Sequence, residues 1–367
     1  MRTTRATRTD SAIRGRPPRE SQELLARLRR RIVNGELAPG ARLPTRRELH
    51  HSFDLSASTV EHALQRLIRD GFLTTRGVHG TFVADPPPHR CRYGLAFLSR
   101  EVSLFGRALL AAAAASREGL HLDFPVFYGI DGHTDVPDYR RLVYDLRAER
   151  LAGLIAMFDP TGLAETPVPA GHPEIPRVTI AGHPANPRVL RVTNDFDAMI
   201  AGALDHFFRT GRRRVAILFG AQYPEAWLTT LTGRIAAAGL TTRPAWLQAV
   251  EPAHPHWAVN ALHAVFQGRG KARPDALLIT DDHIVAQAAR ALQTLGIRTP
   301  RDVDVVAHCN YPVLPPVAVA VRWFGFDAGK LLAACVDVID RSRAGAKAPR
   351  VTLIAPEWGT DRRQGAS

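Results

Sequence analysis

The chain has 367 residues, of which 45% are hydrophobic and 23% are charged, a composition typical of a folded protein with two or three domains. Its formal net charge of +13 favours a polyanionic partner. The 3 cysteines lack the spacing of a metal site and are too few for a disulfide framework. No secretory signal and no membrane-length apolar run is present, so the sequence excludes a membrane or disulfide-rich secreted protein and predicts a cytoplasmic one.

The positive charge is concentrated at one end of the chain. Residues 1–92 contain 18 Lys and Arg against 9 Asp and Glu, so about +9 of the total +13 lies there. A genome rich in arginine codons explains part of this excess but not its position. A basic excess confined to one module is typical of nucleic-acid binding. Residues 1–18 are predicted to be a disordered basic arm, which either contacts DNA phosphates or has no role.

Residues 19–84 form the first predicted domain. The first helix is indicated by apolar residues at helical spacing, namely Leu24, Leu25, Leu28 and Ile32. The second helix starts at a capping box made by Thr45 and Glu48, and it runs to about Phe53. Two strands, 72–75 and 81–83, follow the third helix and flank a tip that contains glycines.

The third helix is the one that we expect to face DNA. It is capped by Ser56 or Ser58, and Ser58 with Glu61 again fits a capping box. Its buried stripe is predicted to be Val60, Leu64, Leu67 and Ile68. The outward face then consists of Ala57, Ser58, Glu61, His62 and Gln65. Two helices joined by a turn and followed by a hairpin predict a winged helix-turn-helix, which places one helix in the DNA major groove.

The pattern of apolar and polar residues changes after residue 84. Residues 85–92 contain three consecutive prolines and predict a stiff polyproline linker, and 359–367 are predicted to be a tail. In 93–358, apolar strand-like runs alternate with amphipathic helices. The runs are 94–98, 122–128, 154–158, 177–180, 191–193, 215–219, 276–280 and 303–307, and the helices include 105–117, 139–147, 198–208, 285–295 and 328–339. This alternation predicts parallel α/β sheets in two lobes, with ligands beyond the carboxyl ends of the strands.

Several motifs of the first domain resemble the GntR family of bacterial transcription regulators. They are Gly35-Glu36-Leu37-Ala38-Pro39-Gly40, Leu43-Pro44-Thr45-Arg46-Arg47-Glu48-Leu49, Ser58-Thr59-Val60 with Ala63-Leu64, and Gly80-Thr81-Phe82-Val83. The resemblance implies a homodimer on double-stranded operator DNA. Together with the outward helix face, it gives the expected DNA-binding residues Arg46, Arg47, Ser56, Ser58, Thr59, His62, Arg76, Gly77, His79 and Gly80.

Within that set, Arg47 falls on the family's arginine in the helix before the recognition helix. A guanidinium there can bind guanine O6 and N7 through two parallel hydrogen bonds, and the alternative is a salt bridge to Glu48 or Asp54. At Ser58 and Thr59, helix capping and DNA contact both remain open. The wing tip, which the family inserts into the minor groove, contains Gly77, His79 and Gly80. Two positions depart from the family pattern: where the family often has arginine, this chain has Ala57 and Glu61.

Residues 93–358 resemble the ligand-binding domain of LacI-type repressors and periplasmic sugar-binding proteins. The resemblance is carried by Asn194-Asp195-Phe196-Asp197, Gly211-Arg212-Arg213-Arg214-Val215-Ala216 and Pro274-Asp275-Ala276-Leu277-Leu278-Ile279-Thr280-Asp281-Asp282. With its winged-helix head the chain is similar to the AraR-type subgroup, which implies control by a sugar bound between two lobes. The effector-binding candidates at strand ends are Phe105, Phe158, Asp195, Phe196, Trp227, Asp282, Asn310 and Tyr311.

Each candidate also has a structural interpretation. Phe105 and Phe196 are equally suited to packing, and Asp195 to capping a helix. Trp227 is aligned where the family often has an arginine that holds sugar hydroxyls. Negative charge at a helix N-terminus is favourable, which suits Asp282 too. Asp282 remains the strongest candidate, because a carboxylate buried at a strand end has little other reason to be there.

Three competing functions fit the sequence less well. An aminotransferase-like enzyme would need a longer body and a cofactor lysine, and the chain has no nucleophile elbow, phosphate loop or His-Glu-x-x-His motif. Metal sensing has no histidine pair at ligand spacing, and an architectural DNA binder would not need the large α/β body. We therefore expect a repressor without catalytic residues, metal or cofactor. The remaining alternatives are a non-sugar effector, or a constitutive DNA-binding dimer that has lost ligand binding.

Overall fold

The computed structural model describes residues 19–131, 135–158, 175–180, 189–221, 225–268 and 270–359. The predicted basic arm, 1–18, and all but the first residue of the predicted tail lie outside this range. The chain divides into two units, one made of Met1–Arg92 with Tyr144–Ala152 and one made of Tyr93–Val143 with Gly153–Ser367. Among the described helices, none combines the length and the apolar character that a bilayer crossing requires.

The first unit has the predicted three helices and hairpin. Its elements are α1 (Arg19–Val33), α2 (Arg46–Phe53), α3 (Ala57–Arg69), β1 (Leu73–Thr75), β2 (Thr81–Val83) and α4 (Pro88–Cys91). The strands pair antiparallel, with Leu73 opposite Val83, and a 3-10 turn at Gly77–His79 forms the tip between them. Apolar residues of the three helices and the hairpin share one core, which includes Leu28, Leu49, Leu64, Leu67 and Phe72.

Side-chain caps define the starts of α2 and α3. At α2 the predicted capping box is present, because the Thr45 hydroxyl accepts from the Glu48 backbone N–H and the Glu48 carboxylate accepts from the Thr45 backbone N–H. At α3 the cap is Ser56, whose hydroxyl accepts from the Thr59 backbone N–H. The predicted box between Ser58 and Glu61 is wrong, because the Glu61 carboxylate is bound by side chains of other residues instead.

The predicted polyproline linker is not an extended spacer. Pro88–Cys91 forms the single helical turn α4, and Pro88 and His89 are buried in the first unit. The His89 ring stacks on Phe72, with the ring centroids 5.9 Å apart. Apolar and aromatic contact with the winged-helix core therefore outweighs the extended preference of consecutive prolines, and 85–92 is part of the first unit.

The second unit contains two mainly parallel sheets. The chain first forms most of one sheet. The elements of this part are β3 (Tyr93–Ala96), α5 (Leu104–Leu120), β4 (Val126–Phe127), α6 (Pro137–Arg147), β5 (Gly153–Ala156), β6 (Arg177–Thr179) and β7 (Leu190–Asn194). The elements that follow β7 are α7 (Phe196–Arg209), β8 (Val215–Gly220), α8 (Glu225–Ala237), β9 (Leu247–Val250), α9 (Trp257–Val265), β10 (Ala276–Ile279), α10 (Asp282–Thr294), β11 (Asp304–Ala307), β12 (Asn310–Tyr311), β13 (Arg322–Asp327), α11 (Ala328–Arg343), β14 (Val351–Ile354) and β15 (Glu357–Trp358).

The strand orders define two lobes, each with one sheet. Among the described residues, the first sheet runs β14-β7-β6-β5-β3-β4 and the second runs β12-β13-β11-β10-β8-β9, with β15 antiparallel to β13. Strands such as β5, β8 and β10 are buried along their whole length, as parallel strands covered on both faces must be. This confirms the predicted α/β class with a winged helix-turn-helix before it.

The chain crosses between the two sheets at three places. The first crossing follows β7, the second leads from β13 into α11, and the third leads from β14 to β15. Although α11 follows a strand of the second sheet, it packs on the first lobe, where the Tyr93 hydroxyl donates to Asp340 at 2.9 Å. The crossings bring the carboxyl ends of β7 and β10 to opposite walls of one cleft.

Candidate functional site

A cleft of about 220 Å³ lies at the strand ends between the two lobes of the second unit. The first lobe contributes residues from α5 and from the ends of β6 and β7, and the second lobe contributes residues after β10 and β11. The described lining residues are Phe105, Ile180, Thr193, Asn194, Phe196, Thr280, Asp281, Asp282, His283, His308 and Asn310. Below the ~300 Å³ of the smallest drug-sized sites, this volume fits a small metabolite.

A buried carboxylate, Asp282, stands at the centre of the second-lobe wall. It is 3% exposed and follows β10, where it opens α10. The Asn310 side-chain amide donates to its Oδ2 at 2.8 Å, and His283 Nδ1 lies 3.1 Å from its Oδ1. Burial disfavours the charged carboxylate, but these partners hold the pKa of Asp282 below its usual value. The cleft therefore contains a fixed negative charge.

The adjacent His283 is held in its protonated form. Its Nδ1 lies 2.9 Å from Asp281 Oδ1, and the Asp281 carboxylate also accepts the His283 backbone N–H at the start of α10. Hydrogen bonds to Asp281 and then to Asp282 raise the pKa of His283 to about 10. The three side chains carry two negative charges and one positive charge at neutral pH.

A second histidine, His308, is held neutral. It follows β11, is 5% exposed, and burial lowers its pKa. Its ring packs on Phe196 and Phe326, with centroids 5.3 and 5.6 Å away. Neither ring nitrogen has a hydrogen-bond partner among the described residues, and the same holds for Oδ1 of Asn194 and of Asn310. Buried polar atoms are normally paired with protein groups, ordered water or a ligand, so these atoms are available to a ligand in the cleft.

Half of the predicted effector residues meet in the cleft. They are Phe105, Phe196, Asp282 and Asn310. Phe196 both lines the cleft and has the packing role that the sequence left open, because its ring lies edge-to-face on Phe326 with the centroids 5.2 Å apart. Position at a strand end therefore predicted cleft-lining residues in both lobes.

The other four predicted effector residues lie outside the lining of the cleft. Phe158 is buried after β5, and Asp195 caps α7 by accepting from the Ala198 backbone N–H at 2.9 Å. Trp227 packs on the side chain of Phe219 from β8, with centroids 5.1 Å apart. Tyr311 follows Asn310 within one strand, and neighbouring strand residues point to opposite faces.

Sequence reasoning missed seven of the lining residues. They are Ile180, Thr193, Asn194, Thr280, Asp281, His283 and His308. The signal was available, because every one of them ends or directly follows a predicted strand, or begins the helix after it. Choosing aromatic and acidic side chains there left out the histidines and amides.

Three neighbouring side chains offer possible metal ligands. One ligand atom each from Asp281, Asp282 and His283 lies within 4.8 Å of the others. A histidine must lose its proton to bind a metal, and a pKa of about 10 opposes that loss at neutral pH. The geometry favours a charge cluster of two carboxylates and one imidazolium.

The predicted DNA-binding residues on α2 and α3 differ in their availability. Arg47 is exposed and forms no ion pair with any described residue, so the alternative of a salt bridge to Glu48 or Asp54 is not seen. Arg46 is exposed and pairs with Glu61. The exposed outer residues of this surface also include Ser56, Ser58 and His62.

One residue of the predicted set does not face outward. Thr59 is 4% exposed, and its hydroxyl is 2.7 Å from the Ser56 hydroxyl. It therefore stabilises the start of α3, which is one of the two roles that the sequence left open, and its 4% exposure leaves little surface for the other, DNA contact.

The wing tip is exposed. The Arg76 guanidinium lies over the Phe82 ring, 4.7 Å from its centroid, and His79 is exposed at the end of the 3-10 turn. Gly77 and Gly80 have φ of +53° and +105°, conformations that side chains rarely adopt. Val78, at 96% exposure, is the outermost apolar residue of the tip.

The carboxyl end of α3 is bound to Tyr144–Ala152, the stretch of the first unit that comes later in the sequence. Asp70, 2% exposed, ends the helix and forms ion pairs with Arg29 at 3.3 Å and Arg66 at 3.4 Å. Its carboxylate also accepts the Tyr144 hydroxyl, and its backbone carbonyl accepts from Arg150 at 3.1 Å. Residues from two other stretches of sequence, α1 and Tyr144–Ala152, thus position α3.

Comparison with known families agrees with both parts of this description. Residues 20–83 match the family of bacterial regulatory proteins of the gntR type, and residues 204–359 match the periplasmic binding protein-like domain. The chain thus combines a region similar to the gntR family of bacterial regulatory proteins with a region similar to the periplasmic binding protein-like domain.

Individual relatives show how far the similarity extends. The chain is 33% identical over 84 residues to the transcriptional repressor NagR of Bacillus subtilis, which covers 23% of this chain and 35% of that relative, so it spans about a third of NagR. It is 25% identical over 309 residues to the arabinose metabolism transcriptional repressor of Geobacillus stearothermophilus, or 76% of this chain and 79% of that protein.

A solved structure supports the fold of the second unit. A LacI family transcriptional regulator from Arthrobacter sp. FB24, in complex with lactose, is 16% identical and superposes with a TM-score of 0.55. The match covers 74% of this chain and 98% of that one.

The charge cluster predicts that His283 stays protonated well above neutral pH. In the folded full-length chain, NMR titration of labelled histidine should show this ring still charged at pH 8. Because its pKa is raised above the ordinary 6.5, its contribution to stability is complete below that pH and is lost as the pH rises towards 10.

The matched variants are Asp281→Asn and, as a control, Asp205→Asn on the exposed surface. The first should lower the pKa of His283, and the control should leave it unchanged. A His283 ring that is neutral at pH 8 in the wild-type chain would contradict the cluster.

Proposed function

We propose that this chain is a sequence-specific transcription repressor whose affinity for operator DNA is controlled by a small ligand, a sugar, bound in the cleft. It acts in the cytoplasm as a homodimer and without catalysis. The observation that carries the proposal is the set of unpartnered buried polar atoms around Asp282, in the same chain as a winged helix-turn-helix. The repressor names of NagR and of the arabinose metabolism repressor support it.

The DNA side of the proposal rests on the exposed surface of α2, α3 and the wing. Arg47 forms no ion pair with any residue that the structure describes, whereas Arg46 pairs with Glu61. A guanidinium without a protein partner is available for two parallel hydrogen bonds to a guanine edge or for a phosphate. The hydroxyls of Ser56 and Ser58 and the His62 ring complete the surface.

The ligand side rests on the two-walled cleft. A sugar presents hydroxyl groups to polar side chains and C–H faces to aromatic rings, and the cleft offers both on opposite walls. Phe105 belongs to the first lobe, and Phe196 and Asp282 belong to the second. A ligand that contacts both walls favours the closed arrangement by the difference between its affinities for the two states.

The route of control is proposed to run through Tyr144–Ala152. This stretch belongs to the same unit as the recognition helix, and it continues directly into β5 of the first sheet. The Asp70 interactions with Tyr144 and Arg150 give this stretch a hold on the end of α3. In a homodimer, half-sites lie about 34–36 Å apart, so a displacement of a few ångströms changes whether both recognition helices fit.

Replacement of Arg47 tests the DNA surface. Arg47→Ala should weaken binding to a duplex selected from random sequence with the full-length chain by about 1–3 kcal/mol, because a bidentate base contact is lost. Fluorescence anisotropy at fixed salt measures this change. The control is Arg31→Ala, which removes an arginine that pairs with Glu36 at the end of α1. Equal affinities of Arg47→Ala and wild type would rule out the contact.

Replacement of Asp282 tests the ligand cleft. Asp282→Asn should leave DNA affinity in the absence of ligand within the error of the wild-type value, and it should abolish the change in DNA affinity that a bound sugar causes. The reason is that the carboxylate is the fixed acceptor at the centre of the cleft. Asp205→Asn, an exposed change in α7, should respond to the sugar like the wild type. A normal response of Asp282→Asn would remove this residue from the site.

A further inference from the structure

Two carboxylates and one oriented amide oxygen are the fixed hydrogen-bond acceptors of the cleft. Asn310 has a defined orientation, because its amide nitrogen must face the Asp282 carboxylate, to which it donates at 2.8 Å. Its Oδ1 then points away from that carboxylate and has no partner among the described residues. This amide oxygen therefore requires a donor.

The charges of the cleft favour the same kind of ligand. The positive charge of His283 is shared by two carboxylates, at 2.9 Å for Asp281 and 3.1 Å for Asp282, so the three groups together carry one net negative charge. His308 is buried and neutral, and it supplies one donor and one acceptor. The lining residues that the structure describes include no lysine or arginine.

The functional groups of sugar derivatives differ in how they meet such a wall. A hydroxyl group donates one hydrogen bond, and an ammonium group donates three and carries a positive charge. A phosphate or carboxylate group only accepts, so it would face unpartnered oxygens and a net negative charge in a partly buried site. Placing an anion there leaves the Asn310 amide oxygen without a donor.

We propose that the cleft selects hydroxyl-rich ligands that are uncharged or bear an amine, and that it rejects sugar phosphates and sugar acids. This inference rests on the proposed function, because it assigns the chemical class of the ligand that the same cleft binds. It places the selection in Asp281, Asp282 and Asn310. The two carboxylates repel anions, and the Asn310 amide oxygen requires a hydrogen-bond donor.

The test compares matched derivatives of the same sugar on the full-length chain. Isothermal titration is carried out with glucose, glucosamine, glucuronate and glucose 6-phosphate, and with the corresponding galactose and arabinose series. In any series that binds, the uncharged or amine member should bind at least about tenfold more tightly than the acid or the phosphate. Tighter binding of an acid or a phosphate would overturn this inference while leaving ligand control intact, and no binding in any series would contradict both.

Variants locate the selection within the cleft. Asp282→Asn should weaken binding of the uncharged sugar and narrow its advantage over the phosphate severalfold, because one negative charge is removed. Asp281→Asn tests the same charge at a half-buried position if Asp282→Asn does not fold, and Asp205→Asn is the matched control outside the cleft. An advantage over the phosphate that is unchanged in both cleft variants would overturn the assignment to these carboxylates.

Discussion

The burial of a charged carboxylate at the end of a parallel strand is the constraint around which the second unit is organised. An unpaired charge at 3% exposure would be strongly unfavourable, so Asp282 requires both the imidazolium of His283 and the amide of Asn310. These partners come from the helix that Asp282 itself opens and from the segment after the neighbouring strand. The pairing of β10 with β11 therefore fixes the cluster, and the cluster fixes which atoms are left for a ligand.

A similar arrangement holds the recognition helix in the first unit. Asp70 is buried at the end of α3, and its partners come from α1, from α3 itself and from Tyr144–Ala152. Removing one partner of a buried carboxylate is costly, so this group of residues resists rearrangement. Tyr144–Ala152 continues directly into β5, so the chain runs from the residues that hold the end of α3 into the first sheet.

Much of this architecture could be predicted from the sequence, because strong periodic signals marked it. The first helix, the capping box at Thr45 and the buried strands such as β8 and β10 were all predicted within a few residues. Five strands, β9 and β12 to β15, were missed. The strands β9 and β14 are edge strands that are only partly buried, β12 and β15 have two residues each, and the run of β13 contains an exposed arginine and a glycine. The linker prediction failed because burial against Phe72 is a tertiary contact that local proline preference cannot show.

The candidate site was predicted in part for the same reason. Strand-end position selected Asp282 and Asn310, but it could not separate Asn310 from Tyr311 or show that Asp195 is used as a helix cap.

The central claim is that ligand and DNA binding are coupled, and thermodynamic linkage tests it most directly. The affinity of the full-length chain for its selected duplex is measured with and without a sugar that binds, and the sugar affinity is measured with and without the duplex. The account predicts that both affinities change by the same factor, and two ligands that bind independently would contradict it.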